Sequence, residues 1–191
     1  IDNKKMSKSA GRFFTVRDIL EEYDPMVLRF FLLSAHYRSP LNFSRELMEA
    51  AKNGLERIRN AVARLEGLRE MAQGEMSEVE ESLLQEAGRF VENFEQAMED
   101  DCNTADALAA IFEMVKFANT RVEAGSSREL VNALLERLLR LCDICGLTVE
   151  SKQELLDVEI EALIAERTAA RKAKDFARAD AIRKELSDRG I

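Results

Sequence analysis

Two lysines three residues apart, Lys5 and Lys8, sit among Met6, Ser7, Ser9, Ala10 and Gly11 near the start of the chain. These residue types suit a mobile loop that closes on a triphosphate. Phosphate oxygens carry dense negative charge, and a lysine ammonium is a compact point charge that follows it through a reaction. The small hydroxyl residues Ser7 and Ser9 crowd the loop little, and Gly11 leaves its backbone free to bend. Lys8 and Lys5 are therefore the candidate charge carriers, with Ser7 and Ser9 as further phosphate-binding residues.

Other constellations invite chemistry and read as structure. Cys142-x-x-Cys145 has the spacing of half a zinc site, but zinc takes about four ligands. The chain's one histidine, His36, is far away and no second cysteine pair exists. The pair lies in the apolar stretch Leu138–Cys145, so packing at a helix end is expected, with no metal bound. Asp100, Asp101 and Asn103 resemble a cation cluster, yet a calcium loop needs more oxygens at regular spacing and a closing glutamate. They read as the end of one helix and the cap of the next.

The elements that must position the lysines are helical. The chain has 191 residues, 46% hydrophobic and 34% charged, with two prolines, eight glycines and no tryptophan. That composition favours helices, and the length allows one or two domains with a sizeable core. Thr15 with Asp18 is a capping box opening a short helix over 16–23. Asp24-Pro25 restarts a second one, 26–33, apolar on most sides and expected to be deeply buried. His36 to Pro40 breaks it. Ser44 caps a long helix whose stripe is Leu47, Ala51, Leu55, Ile58, Val62 and Leu65. A second runs over 77–100, a third is capped by Thr104, and a fourth carries Leu130, Leu134, Leu138 and Leu141 to Gly146. Four such helices with short links make an antiparallel bundle. The reading is mainly α in three parts: 1–45, a loop and small contact segment; 46–150, the bundle; and 151–191, the helical start of a further domain.

Net charge is −8, unevenly spread: residues 1–45 carry +3, 164–191 carry +3, and 46–163 carry −14. Two modestly basic ends flanking an acidic body fit either a polyanion partner or an uneven solvated surface. No apolar run nears the ~20 residues of a membrane span, so no membrane association is expected. Three cysteines without a disulfide pattern point to a reducing compartment. The start, Ile1-Asp2-Asn3-Lys4, has neither an initiator methionine nor a signal peptide, and leads to the expectation that the chain is cut from a longer one.

Three blocks carry a family resemblance. The first joins Lys4-Lys5-Met6-Ser7-Lys8-Ser9-Ala10-Gly11, Phe13-Phe14-Thr15-Val16-Arg17-Asp18-Ile19-Leu20, and Leu28 to Ser44 with His36-Tyr37-Arg38-Ser39-Pro40-Leu41-Asn42-Phe43. The second is Phe94-x-x-Ala97-Met98-x-Asp100-Asp101-x-Asn103-Thr104. The third is Arg167-x-x-Ala170-Arg171-x-x-Lys174-Asp175-Phe176 with Ala179-Asp180-x-Ile182-Arg183. Together they resemble the bacterial cysteinyl-tRNA synthetases, class I enzymes whose KMSKS signature is Lys5 to Ser9.

The resemblance implies activation of cysteine with ATP and its transfer to tRNA(Cys), in a cytoplasmic and monomeric enzyme. It implies that Lys8 and Lys5, with Ser7 and Ser9, contact ATP and steady the departing pyrophosphate. It further implies a segment touching the inner side of the tRNA, a DALR-type bundle, and an anticodon-reading domain from residue 151. Arg29, Arg38, Arg171, Lys174, Arg178 and Arg183 are the candidate tRNA contacts. For Arg29, pairing with a nearby acid is an equal reading, and His36 is either tRNA-facing or structural. In this family zinc belongs to the nucleotide-binding half, which carries a HIGH-type motif absent here, so the chain alone is expected to be inactive. Where the family has Leu-Gly-Asn after the signature, this chain has Ala10-Gly11-Arg12. Two alternatives remain: a paralogous ligase joining cysteine to an amino sugar, as in mycothiol synthesis, and a non-enzymatic helical RNA-binding module. The tail from Arg167 to Arg183 argues against the first, and the lysine loop against the second.

Overall fold

The computed structural model describes residues 15–149, 162–171 and 175–188. All regular structure among them is helical. The chain divides into two compact units, Ile1–Val149 and Glu150–Ile191.

The first unit opens with α1, Val16–Leu20, entered through the expected capping box: Thr15 accepts from the Asp18 N–H while Asp18 accepts from the Thr15 N–H at 2.6 Å. It ends at Leu20 and not at Tyr23, because the N–H groups of Glu22 and Tyr23 both turn back to the Ile19 carbonyl before Asp24-Pro25 starts α2, Pro25–Leu33. A residue ahead of proline is pushed out of helical geometry. α2 buries Val27, Leu28, Phe30 and Phe31, but Arg29 and Leu32 are exposed. It is amphipathic, contrary to the expectation of burial on most sides. α3, Arg45–Met71, begins at the Ser44 cap. Its inward stripe starts at Met48, fully buried, and not at Leu47, which is exposed. Both residues fit the three- and four-residue spacing toward Ala51 and Leu55, and the rotation of α3 against its neighbours buries Met48.

α4, Glu78–Glu99, and α5, Thr104–Arg121, are joined by a tight turn. Asn103 caps α5, one position earlier than the expected cap Thr104, which is the first helical residue. The Asn103 amide oxygen reaches the Asp106 N–H and leaves Thr104 free to adopt helical angles. α6, Arg128–Ile144, follows the Ser127 cap.

α3 and α4 follow one another in sequence and do not pack together. Both pack on α5 and on α6, so they stand diagonally across the bundle, while α2 lies on α3 and α5. The alternating direction of the four long helices puts the α3 and α5 C-termini beside the α4 and α6 N-termini. At that end side chains satisfy the backbone groups that helix ends leave open. Arg64 donates to the carbonyls of Ala118 and Val122, and Arg128 Nε donates to the Ala72 carbonyl at 3.2 Å. Glu80 does most: one carboxylate oxygen accepts from the Ser77 N–H at 3.0 Å and the other from the Ser127 N–H at 2.8 Å. A single carboxylate thus caps α4 and braces the start of α6.

In the second unit residues 162–171 are helical (α7), and Asp175 caps the last helix, α8, Phe176–Asp188, by accepting from the Arg178 N–H at 3.0 Å. Among its described side chains, Ala179, Ile182 and Leu186 are buried. The expected first stretch of that unit, 154–161, lies outside the described residues.

Two substitutions test these contacts. The Ser77 N–H, and next the Ser127 N–H, hold the Glu80 carboxyl below its ordinary value of 4.5. A carboxyl lowered by folding adds stability that is complete above its unfolded pKa and is lost as pH falls through its folded one. Glu80→Ala should therefore cost about 1–2 kcal/mol at pH 7, as loss of a helix cap does, and the gap to the parent should close below about pH 4. Urea titrations at a series of pH values read this. Gly146, at φ +64°, ends α6 in left-handed geometry, and a methyl built on it would lie 2.9 Å from Arg29 Nη1. Gly146→Ala should lower stability by about 1 kcal/mol, seen as a lower urea midpoint with an unchanged slope.

Candidate functional site

Lys5, Ser7, Lys8 and Ser9 lie outside the described residues. The pair of helices after them in the chain is anchored. α1 packs on α2, and α2 is held to the bundle by its phenylalanines. Phe30 meets Phe112 of α5 edge to face, at 6.0 Å and 80°, and Phe31 meets Phe43 at 5.6 Å and 84°. Such aromatic pairs add to the area they bury. Gly54 on α3 makes room for this: a methyl there would sit 2.9 Å from the Phe30 ring. An exposed ion pair, Arg45 to Glu22 at 2.8 Å, ties the segment after α1 to the start of α3 and adds little by itself.

The end of the bundle that holds the α3 and α5 N-termini also receives the loop after α2. There His36, Tyr37 and Arg38 converge on Asp101, more than sixty residues away in sequence. The Tyr37 hydroxyl donates to Asp101 Oδ1 at 2.8 Å, and Arg38 Nη2 donates to the same oxygen at 3.0 Å. Arg38 Nε donates to the Tyr37 hydroxyl at 2.9 Å, and His36 Nε2 lies 3.8 Å from Asp101 Oδ2. The His36 ring stacks on Tyr37 at 4.9 Å and 22°. Acceptance by Asp101 pushes the Tyr37 phenol above its ordinary pKa. Asp101 and Cys102 both hold left-handed backbone, φ 57° and 53°, a conformation that costs non-glycine residues of order 1–3 kcal/mol.

The expected tRNA contacts go to separate places. Arg38 is in this cluster. Arg29 points to Gly146 at the C-terminus of α6, whose last turn carries no basic residue of its own. A cation there complements the negative end of the helix dipole. Arg171 and Arg183 are exposed in the second unit, where Arg178 also pairs with Glu166 through Nε at 2.9 Å and Nη2 at 2.8 Å. Lys174 lies outside the described residues.

The remaining constellations are structural. Cys142 and Cys145 are buried, and burial pushes their thiols up to about 12 and about 11, so they stay protonated and unreactive near neutrality. Among the described residues no three His, Cys, Asp or Glu side chains are grouped to hold a metal ion. No described helix is long and apolar enough to cross a membrane. Asp100 closes α4 and Asn103 opens α5, as expected. Asp101 is the functional candidate missed in the sequence. The signal was its redundancy, since the two caps already account for the neighbours on either side.

Residues 1–53 match the model of the class I (C) tRNA synthetase catalytic domain, 93–150 that of the DALR domain, and 154–191 that of the cysteinyl-tRNA ligase anticodon binding domain. The cysteine–tRNA ligase of Lachnoclostridium phytofermentans is 55% identical over 197 aligned residues, taking in 100% of this chain and 42% of the relative. That of Lachnospira eligens is 56% identical over 192, with 100% and 41% covered. The chain thus spans about two fifths of the length of these curated relatives. With three domain models matched in order and every residue aligned to ligases at more than half identity, this chain belongs to the cysteinyl-tRNA synthetase family.

Proposed function

We propose that this chain supplies the pyrophosphate-steadying loop and the tRNA-binding helices of a cysteine–tRNA ligase. The observation that carries the reading is the Lys5-Met6-Ser7-Lys8-Ser9 loop at the head of a helical pair that is docked on a DALR-type bundle. In the ligase reaction the cysteine carboxylate attacks the α-phosphorus of ATP, giving cysteinyl-adenylate and pyrophosphate. The acyl group then passes to the terminal ribose of tRNA(Cys). Negative charge builds on the β- and γ-phosphates as the first step proceeds. Lys8 and Lys5 neutralise it where it develops, which lowers the barrier more than equal binding of ATP throughout would. Ser7 and Ser9 complete the phosphate contacts. Phe30 and Phe31 anchor α2, which follows the lysine motif and α1 in the chain, on the bundle.

The tRNA is held by the second unit through Arg171, Lys174, Arg178 and Arg183, and by the first through Arg29 and Arg38. The similarity of 154–191 to an anticodon binding domain supports this and favours tRNA over an amino-sugar acceptor. ATP is a substrate and not a resident cofactor. Zinc, which the family resemblance attaches to the nucleotide-binding half, is assigned no residue of this chain. The working setting is the cytoplasm, with one copy acting alone.

Cysteine-dependent charging of unfractionated tRNA by the intact ligase, with this chain alone beside it, tests the reading. The intact enzyme should charge, and the chain alone should not. Lys8→Ala in the intact enzyme should slow cysteine-dependent ATP–pyrophosphate exchange by well over tenfold, as loss of a transition-state charge contact does. An unchanged exchange rate removes Lys8 from the mechanism.

A further inference from the structure

The cluster at the α4–α5 turn does something that helix capping does not explain. Tyr37 is 63% exposed, yet three neighbours fix it: the His36 ring stacked against it, Asp101 accepting from its hydroxyl, and Arg38 donating to that hydroxyl. An exposed tyrosine on a loop ordinarily keeps its rotamer freedom. Here that freedom is already gone, and a large flat ring is presented to solvent in one orientation. A partner that stacks on the ring then loses little by ordering it.

The charges decide what kind of partner fits. Arg38 is 67% exposed as a side chain, but its guanidinium is committed to Asp101 at 3.0 Å, and the neighbouring Asp100 is exposed as well. His36 also faces Asp101, at 3.8 Å. Among the described residues the patch therefore offers no uncompensated cation for a phosphate, and its two carboxylates oppose one. What it offers is a π-face backed by a second ring, the chemistry on which unpaired bases stack without sequence preference.

We propose that Tyr37 is a stacking platform for one unpaired base of the bound RNA, with Asp101 and Arg38 as the positioning residues that hold the ring. The inference rests on the tRNA-binding reading above and changes the part played by Arg38. It orients Tyr37 and does not grip phosphate.

The test is the affinity of this chain for unfractionated tRNA at several salt concentrations, for the parent, Tyr37→Leu, Tyr37→Phe and Asp101→Ala. Tyr37→Leu should weaken binding by roughly tenfold or more, as loss of a base–aromatic stack does, with an unchanged slope of log affinity against log salt. Tyr37→Phe keeps the ring and should lose less, and Asp101→Ala should fall between the two. A lost phosphate contact would instead make the slope shallower by about one counterion, and that result overturns the proposal. So does an unchanged affinity for Tyr37→Leu while the parent binds tRNA, an outcome that leaves the ligase reading standing. If the parent does not bind tRNA, the RNA reading of this chain and the platform fall together. A readout that needs no variant is ultraviolet cross-linking of the parent to tRNA. The cross-link should map to Tyr37 in the tryptic peptide from Phe30 to Arg38, and its absence there also counts against the platform.

Discussion

Burial of α5 is the constraint on which the rest of the first unit depends. Ala107, Leu108, Ala110, Ile111, Met114, Val115, Phe117 and Ala118 are all buried, so the helix is apolar around most of its circumference. A helix of that kind has to be surrounded. α2, α3, α4 and α6 all pack on it, and each fully buried large apolar side chain among them contributes about 1.5–3 kcal/mol. The three alanines let neighbouring backbones come close, and Phe117 against Phe90 and Phe112 against Phe30 fill the wider gaps. The segment that follows the lysine loop inherits its position from this arrangement, because Phe30 reaches both α3 and α5.

Surrounding α5 leaves many helix ends close together, and their open backbone groups set the polar chemistry of the two ends of the bundle. At one end arginines and Glu80 close carbonyls and N–H groups directly. At the other, the capping residues are short and local, and the long side chains are released for different work. Arg29 lies over the end of α6, and the His36-Tyr37-Arg38 loop docks on Asp101. The first end is closed by these capping contacts, and the second gathers His36, Tyr37 and Arg38 around Asp101.

Local signals proved legible one residue at a time. The Thr15–Asp18 capping box, the Asp24-Pro25 start, the Ser44 cap and the Leu130-Leu134-Leu138-Leu141 stripe each depend on neighbours within a turn or two, and each stands as read. Two of the misreadings are one-residue choices between near equals. Leu47 and Met48 are both apolar and both close to the right spacing, and Asn103 and Thr104 are both good caps. Which member wins depends on the rotation of the helix against its partners, a quantity no local pattern contains. The site divides in the same way. The lysine motif could be offered as a candidate because its residues are contiguous. The Asp101 cluster could not, because its members are more than sixty residues apart and are joined by a side chain held in an unusual backbone conformation.

The amino-acid sequence by itself determined the helical class, the starts of α1, α2 and α3, the buried cysteines and the family, since each is written in short-range spacing or in contiguous motifs. Only the tertiary structure decided that α3 and α4, adjacent in sequence, stand diagonally across the bundle. It alone set Arg29 against the end of α6 and brought Tyr37 and Arg38 to Asp101. The physical reason is that these outcomes follow from the packing of several apolar faces at once around α5. Such packing selects one arrangement from several that satisfy every helix singly.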